Sequence, residues 1–236
     1  MLTQTSTTER ARFDPWQPGI WRWQFPHGRR VRAGTTDRTG DWSALQRAFP
    51  RVGAPVVAEQ IHGASLAAVE SPNAIRPLPG CDGLLTQQPN LLLVVRTADC
   101  LPLFLWDPVQ RVVGVVHAGW CGLARQVPMK LIAFAQQTYR SRPQDVWVGI
   151  GPAIHACCYE VGQEFGASFA SYLDSRGGRL HCDLIRCATD QLMAAGVAPS
   201  RILDAGCCTA CEAGRWYSLR KEGGLEQRLL SFITLS

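Results

Sequence analysis

Three short segments hold the residues best suited to act on a substrate. They are Glu59-Gln60-Ile61-His62-Gly63, Thr97-Ala98-Asp99-Cys100-Leu101-Pro102 and Val116-His117-Ala118-Gly119-Trp120. Each sets a metal-ligand side chain near the end of a strand-like run, beside glycine or other small residues that let other groups approach. Two imidazoles and a thiolate make a three-ligand set suited to tetrahedral zinc with its fourth position open, which is the catalytic arrangement. Zinc so held lowers the pKa of its water from about 16 towards about 7, and it also polarises an attacked or leaving oxygen. The three ligands lie far apart in sequence, so spacing alone leaves other roles standing. His62 also reads as a hydrogen-bonded histidine near a strand end, and Cys100 as a buried structural thiol. His117, followed by Ala-Gly-Trp, sits at a strand–glycine–helix junction, a favoured place for a ligand.

The elements that must position these residues are mostly strands. Residues 56–70 are rich in β-branched and small side chains and read as a bent strand or a strand pair. Residues 83–87 follow the Pro79-Gly80 turn signal, and 91–98 and 101–106 are apolar runs of buried-strand type. Asp107-Pro108 marks a turn before a strand over 111–118. Residues 122–139 carry Leu123, Val127, Leu131 and Phe134 near helical spacing, with Pro128 placed in or near the first turn. A strand is predicted over 146–151, helices over 162–173 and 182–197 with Gly196 as C-cap, and strand character over RWYSL and RLLSFITL. Residues 1–20, with Pro15 and Pro18, read as a loose arm, and 21–236 as one catalytic domain. Strands and helices without strict βαβ alternation predict an α+β fold, a layered sandwich with mixed β-sheets flanked by helices.

Composition narrows the partners. The 236 residues suffice for one sizeable core, and 46% hydrophobic with 18% charged residues is globular usage. The net charge of +5 comes without any block of like charge; Arg29, Arg30 and Arg32 are the one dense basic cluster and read as a solvated face. No nucleic-acid partner is expected. No apolar run reaches membrane-spanning length and the first residues show no signal-peptide core, so no membrane partner is expected either. The ten cysteines are then read as reduced thiols of a cytoplasmic protein. Cys208-x2-Cys211 looks like half a zinc knuckle, but with no second Cys-x2-Cys pair it is read as packing thiols, and His155 and His181 as surface or hydrogen-bonded histidines.

Five motifs taken together, EQIHG, CDGLLTQQP, TADCLPL, HAGW and GIGPAIHACCYEVG, resemble the YfiH family, whose members are called laccase-domain proteins and purine nucleoside phosphorylases. The match runs in the same order from about residue 56 to the C-terminus. The resemblance implies zinc bound by His62, Cys100 and His117, a layered α/β sandwich, and phosphorolysis of adenosine, inosine, guanosine or methylthioadenosine together with adenosine deamination. It implies a small nucleoside and phosphate as partners, in a monomer or dimer. It also points to Arg38, Gln60, Asp82, Tyr159 and Arg220 as substrate contacts. Asp82 reads equally as a carboxylate behind a ligand or as a turn residue. Two departures bear on the substrate half. Cys121 stands where the family usually has arginine after HAGW, removing a forked cation. The chain is also shortened between Trp42 and Pro55, where the family has an Asn-Leu-Gly stretch. The residues after Trp120 read as a helix N-terminus, whose free N–H groups attract phosphate.

Other chemistries fit the same residues. Zinc-activated water also serves an amidase that edits cell-wall muramoyl-peptide precursors. A His2Cys set also accepts copper, as in polyphenol oxidation, although five histidines are few for a multicopper oxidase. A metal-free Cys100–His thiol hydrolase and a structural zinc module complete the alternatives. The open ligand set argues against the last, because structural zinc is normally closed by four protein ligands.

Overall fold

The structure, a computed structural model, describes residues 12–72 and 77–236. Its frame is two six-stranded mixed sheets packed face to face. The first runs β1(Arg12–Gln17), β2(Ile20–Gln24), β3(Val31–Thr36), β15(Leu229–Leu235), β7(Leu93–Thr97), β4(Val56–Val57). The second runs β14(Ile202–Asp204), β10(Trp147–Ile150), β8(Leu101–Asp107), β9(Val112–Ala118), β6(Gly83–Thr86), β5(Leu66–Ala68). A small third sheet joins β11(Glu160–Val161), β13(Arg179–Cys182) and β12(Leu173–Arg176). Helix α1(Trp42–Ala48) covers the outer face of the first sheet. Helices α2(Trp120–Ala124), α3(Val127–Tyr139) and α5(Leu184–Ala194) lie on the second sheet's side, and the single turns α4(Gly166–Phe169) and α6(Leu219–Glu222) sit in connecting segments.

Strand parity decides which side chains face which layer. On β8, Leu101, Leu103 and Leu105 join the core under α3 and α5, whereas Phe104 and Trp106 pack between the sheets. On β9, Val112 and Val116 face the helices while Val113 and Val115 face the other sheet. On β15, Ile233 and Leu235 point between the sheets, and Leu230 and Phe232 point out to α1. Central strands are therefore buried on both faces, which is why they read as continuous apolar runs rather than alternating ones.

Several elements differ from the sequence reading. From Arg12 onward the expected arm is a hairpin: β1 and β2 turn at Pro18-Gly19, with Gly19 at φ +77°. Phe13 anchors it against Trp23, ring centroids 5.0 Å apart; residues 1–11 lie outside the described residues. The helix expected over 122–139 is two helices, separated at Gln126, which takes φ +59°. Pro128 then sits in the first turn of α3, where its missing N–H costs no hydrogen bond. Residues 163–172 form short 3-10 and α turns rather than one helix. RWYSL is not a strand: Ser218 caps α6 through the Lys221 N–H, and the Glu222 carboxylate accepts the Ser218 N–H. Residues 56–70 are two strands of different sheets, and the loop between them carries His62.

Candidate metal centre and active site

His117 is placed by parity. Two residues beyond Val115, it points between the sheets at the C-terminal end of β9, and it is 3% exposed. Its Nδ1 lies 3.1 Å from Asp82 Oδ1. Asp82 is fully buried just before β6, and its other carboxylate oxygen accepts the Gly63 N–H at 2.7 Å. In the neutral ring, Nδ1–H donating to Asp82 would leave the Nε2 lone pair facing the site, the usual arrangement behind a metal-bound histidine. Burial alone would push the His117 imidazole down, but its hydrogen bonds to Asp82 and Cys100 outweigh burial and raise it to about 9. For Asp82 too, burial is outweighed, and the bonds from His117 and Gly63 hold its carboxyl below the ordinary value.

Cys100 stands in the tight turn from β7 to β8. Asp99 before it takes φ +87°, a left-handed conformation that a residue other than glycine holds only under outside constraint. Three contacts supply that constraint. The Thr209 hydroxyl donates to Asp99 Oδ1 at 2.6 Å, the Arg220 N–H to Oδ2 at 2.7 Å, and the Ile154 N–H to the Asp99 carbonyl at 2.9 Å. His62 lies in the loop between β4 and β5, again at positive φ (+56°), as is Gln60 (+66°). The Gln60 amide clips this loop to β7: Nε2 donates to the Arg96 carbonyl at 2.6 Å, and Oε1 accepts the Arg96 N–H at 2.7 Å. The His62 ring stands edge-on to that of His117, centroids 4.8 Å apart and planes at 85°. Burial, then the nearby His117, hold the His62 pKa below its ordinary value.

The ligand atoms of His62, Cys100 and His117 all lie within 4.8 Å of one another. Zinc–ligand bonds of about 2.0–2.3 Å place tetrahedral donors roughly 3.3–3.8 Å apart, so the set is close to closing on one ion. Gly119 makes room for it. A Cβ there would stand 2.9 Å from Cys100 Sγ and 3.8 Å from His117 Nε2. Donor chemistry, convergence and this cradle fit zinc.

The three side chains open onto a cleft of about 340 Å³, also lined by Glu59, Gln60, Arg96, Thr97, Ala98, Leu219, Glu226 and Arg228. Of the substrate contacts drawn from the resemblance, Gln60 alone lines it, with both amide atoms already engaged. Asp82 is sealed behind His117. Arg38 ion-pairs with Glu222 at 2.7 Å, donates to the Ala213 carbonyl and stacks on Tyr217, away from the cleft lining. Arg220 lies over the Tyr159 ring and faces a separate depression with Cys158, Glu160 and Phe165. The cations that do line the cleft, Arg96 and Arg228, escaped the sequence reading. Arg96 left a trace, as the charged residue interrupting the apolar run 91–98. Arg228, just before β15, left none. Exposed Leu219 lines the cleft, whereas the exposed Trp120 ring packs on Phe165, which lines the separate depression.

A family model described as multi-copper polyphenol oxidoreductase laccase matches residues 40–236, which include all three ligand positions. The chain belongs to this laccase-domain, or YfiH, family. Among family relatives, purine nucleoside phosphorylase YlmD of Geobacillus stearothermophilus is 34% identical over 75% of this chain and 71% of its own length. Purine nucleoside phosphorylase YlmD of Bacillus subtilis is 33% identical over 66% of this chain and 59% of its own length. Solved structures extend the likeness to the whole fold. YlmD from G. stearothermophilus superposes with a TM-score of 0.85 at 29% identity, covering 95% of this chain and 99% of that one. A hypothetical protein YfiH of Bacillus licheniformis gives 0.86 at 25% identity, with the same coverage. The mixed sheets flanked by helices are thus the laccase-domain fold. No helix among the described residues is long and apolar enough to cross a membrane.

Proposed function

We propose that this chain is a zinc-dependent purine nucleoside phosphorylase that also deaminates adenosine, acting on adenosine, inosine, guanosine and methylthioadenosine. One observation carries the reading: a three-ligand set with an open position shares its cleft with two arginines. The names of the relatives point the same way. Bound by His62, Cys100 and His117, zinc would supply a Lewis acid and an acidified water.

The chain's own residues set up the rest. In phosphorolysis a phosphate oxygen bonds to ribose C1′ while the bond from C1′ to the base breaks, and the base leaves with a proton. Arg96 and Arg228 present the charge-assisted donors needed to hold the phosphate against the sugar. Arg228 spends one guanidinium nitrogen on the Leu225 and Gln227 carbonyls, which fixes its direction. This pair stands in for the arginine lost at Cys121; α2 spans only Trp120–Ala124. The Glu226 carboxylate, which lines the cleft, suits ribose hydroxyls. Exposed Leu219 offers apolar surface for a purine. Asp82 fixes the His117 tautomer, and Gln60 fixes the loop of His62. Copper, named in the family description, suits the same donors, but with two of five histidines already engaged too few remain for a multicopper cluster.

The test is to incubate purified protein with inosine or adenosine, with and without phosphate, and to separate products by chromatography. Phosphate-dependent release of hypoxanthine supports phosphorolysis, and inosine formed from adenosine supports deamination. No turnover of either, with hydrolysis of a muramoyl-amino-acid nucleotide, overturns the reading in favour of the amidase.

A further inference from the structure

The fold gathers a second cluster that the sequence holds in two halves. Cys157 and Cys158 follow β10, and Cys208 and Cys211 follow β14. Parallel pairing of β10 with β14 continues through a bridge between Ala153 and Cys208, which brings the two loops together. Cys157 Sγ lies 3.5 Å from Cys208 Sγ and 3.4 Å from Cys211 Sγ, and Cys158 Sγ lies 3.4 Å from Cys211 Sγ. All four sulfurs fall within 4.8 Å of one another. Tetrahedral zinc with bonds of about 2.3 Å sets its thiolate sulfurs about 3.8 Å apart. The three closest spacings fall 0.3–0.4 Å short of that distance, and none of the six exceeds it by more than about 1 Å. They are too short for sulfurs that each bind a different iron of a cluster, and no pair is bonded as a disulfide.

We propose that Cys157, Cys158, Cys208 and Cys211 bind a zinc ion as a closed, structural four-thiolate site. Packing thiols, the role read from sequence, do not explain the arrangement: Cys157 and Cys211 are exposed and bury little apolar surface. Four protein ligands leave no open position, which separates this site from the three-ligand set of the cleft. Soft thiolates select zinc over magnesium or calcium. The site would clamp the segment that holds Cys100, because Thr209, next to Cys208, donates its hydroxyl to Asp99. The proposal does not depend on what the enzyme catalyses.

Zinc is counted per chain by mass spectrometry in protein purified reduced and dialysed against a mild chelator. Cys208→Ser/Cys211→Ser is expected to carry one zinc fewer than its parent, and His62→Ala to keep the zinc of this cluster. Cobalt is then loaded into folded His62→Ala/Cys100→Ala, in which sulfur ligation from the cleft is gone. Strong sulfur-to-cobalt charge-transfer absorption with intense tetrahedral bands is the expected result, and it decides the matter even where the serine variant does not fold. An unchanged zinc count in the folded serine variant overturns the proposal. So does absence of the cobalt bands, or an intact mass showing that two of these cysteines are joined in a disulfide.

Discussion

Replacing Gly119 by alanine isolates the shape of the metal centre from its donors. Gly119 has φ −80° and ψ 175°, which alanine adopts without strain. The new methyl would lie 2.9 Å from Cys100 Sγ and 3.8 Å from the nearest His117 atoms. Non-bonded carbons settle at about 3.5–4.0 Å, and sulfur needs at least as much. The thiol must therefore retreat by roughly 0.6–1 Å, whereas coordination distances tolerate about 0.2 Å. Shifts of that size exceed those from changing a supporting residue, which already cost 10–100-fold in metal affinity. Zinc affinity at the cleft should fall at least about 100-fold, while the fold loses no more than about 1 kcal/mol, the scale of a change at a helix N-cap. Competition with a chromophoric chelator measures the first quantity and thermal unfolding of stripped protein the second. A Gly119→Ala protein that holds cleft zinc as tightly as its parent would refute the reasoning, since the methyl and the bound thiolate cannot share that space.

Further outcomes follow from the same geometry. Asp82→Asn keeps an acceptor for the Gly63 N–H but turns an amide N–H towards His117 Nδ1; the proton moves to Nε2, and zinc affinity should drop about 10–100-fold in a chelator titration. Arg96→Ala and Arg228→Ala should each raise the KM for phosphate about tenfold or more with a smaller change for nucleoside, the scale of one lost charge-assisted bond, read from initial rates. In metal-free protein His117 titrates near 9 against an ordinary 6.5. A group with a raised pKa contributes its full stability below about 6.5 and loses it as pH rises through about 9, so the unfolding free energy of metal-free protein should fall across that window by on the order of 3 kcal/mol, followed as a falling Tm. Zinc, which needs the neutral imidazole, should bind more tightly as pH rises through the same window.

The three donors were legible as donors, since their residue types and neighbouring glycines are local properties of the chain. Their convergence was not, because it depends on β9, the β7–β8 turn and the β4–β5 loop meeting at one rim of the sandwich. The strands were read well where burial on both faces makes an apolar run, as in β8, β9 and β15. RWYSL failed because Trp216 is buried without being in a strand, and the Ser218–Glu222 cap wins over the local β preference. Arg38 and Arg220 looked like substrate contacts by position in a motif. In three dimensions Arg38 is engaged by Glu222, and Arg220 lies over Tyr159. The cleft's cations come instead from Arg96 and Arg228, 132 positions apart, which no local pattern links. The four-cysteine cluster was hidden for the same reason: Cys208-x2-Cys211 read as half a zinc knuckle without a partner, and its partner, Cys157-Cys158, reaches it only when β10 and β14 pair.

In the proposed function, zinc held by His62, Cys100 and His117 would supply the Lewis acid for attack on a purine nucleoside. Its most direct test strips the protein of metal, restores zinc or copper stepwise, and follows hypoxanthine released from inosine in phosphate. Zinc should restore turnover in the parent chain and fail to do so in folded Cys100→Ala. Turnover that is indifferent to zinc, or a copper-restored protein that oxidises a polyphenol and leaves inosine intact, would contradict it.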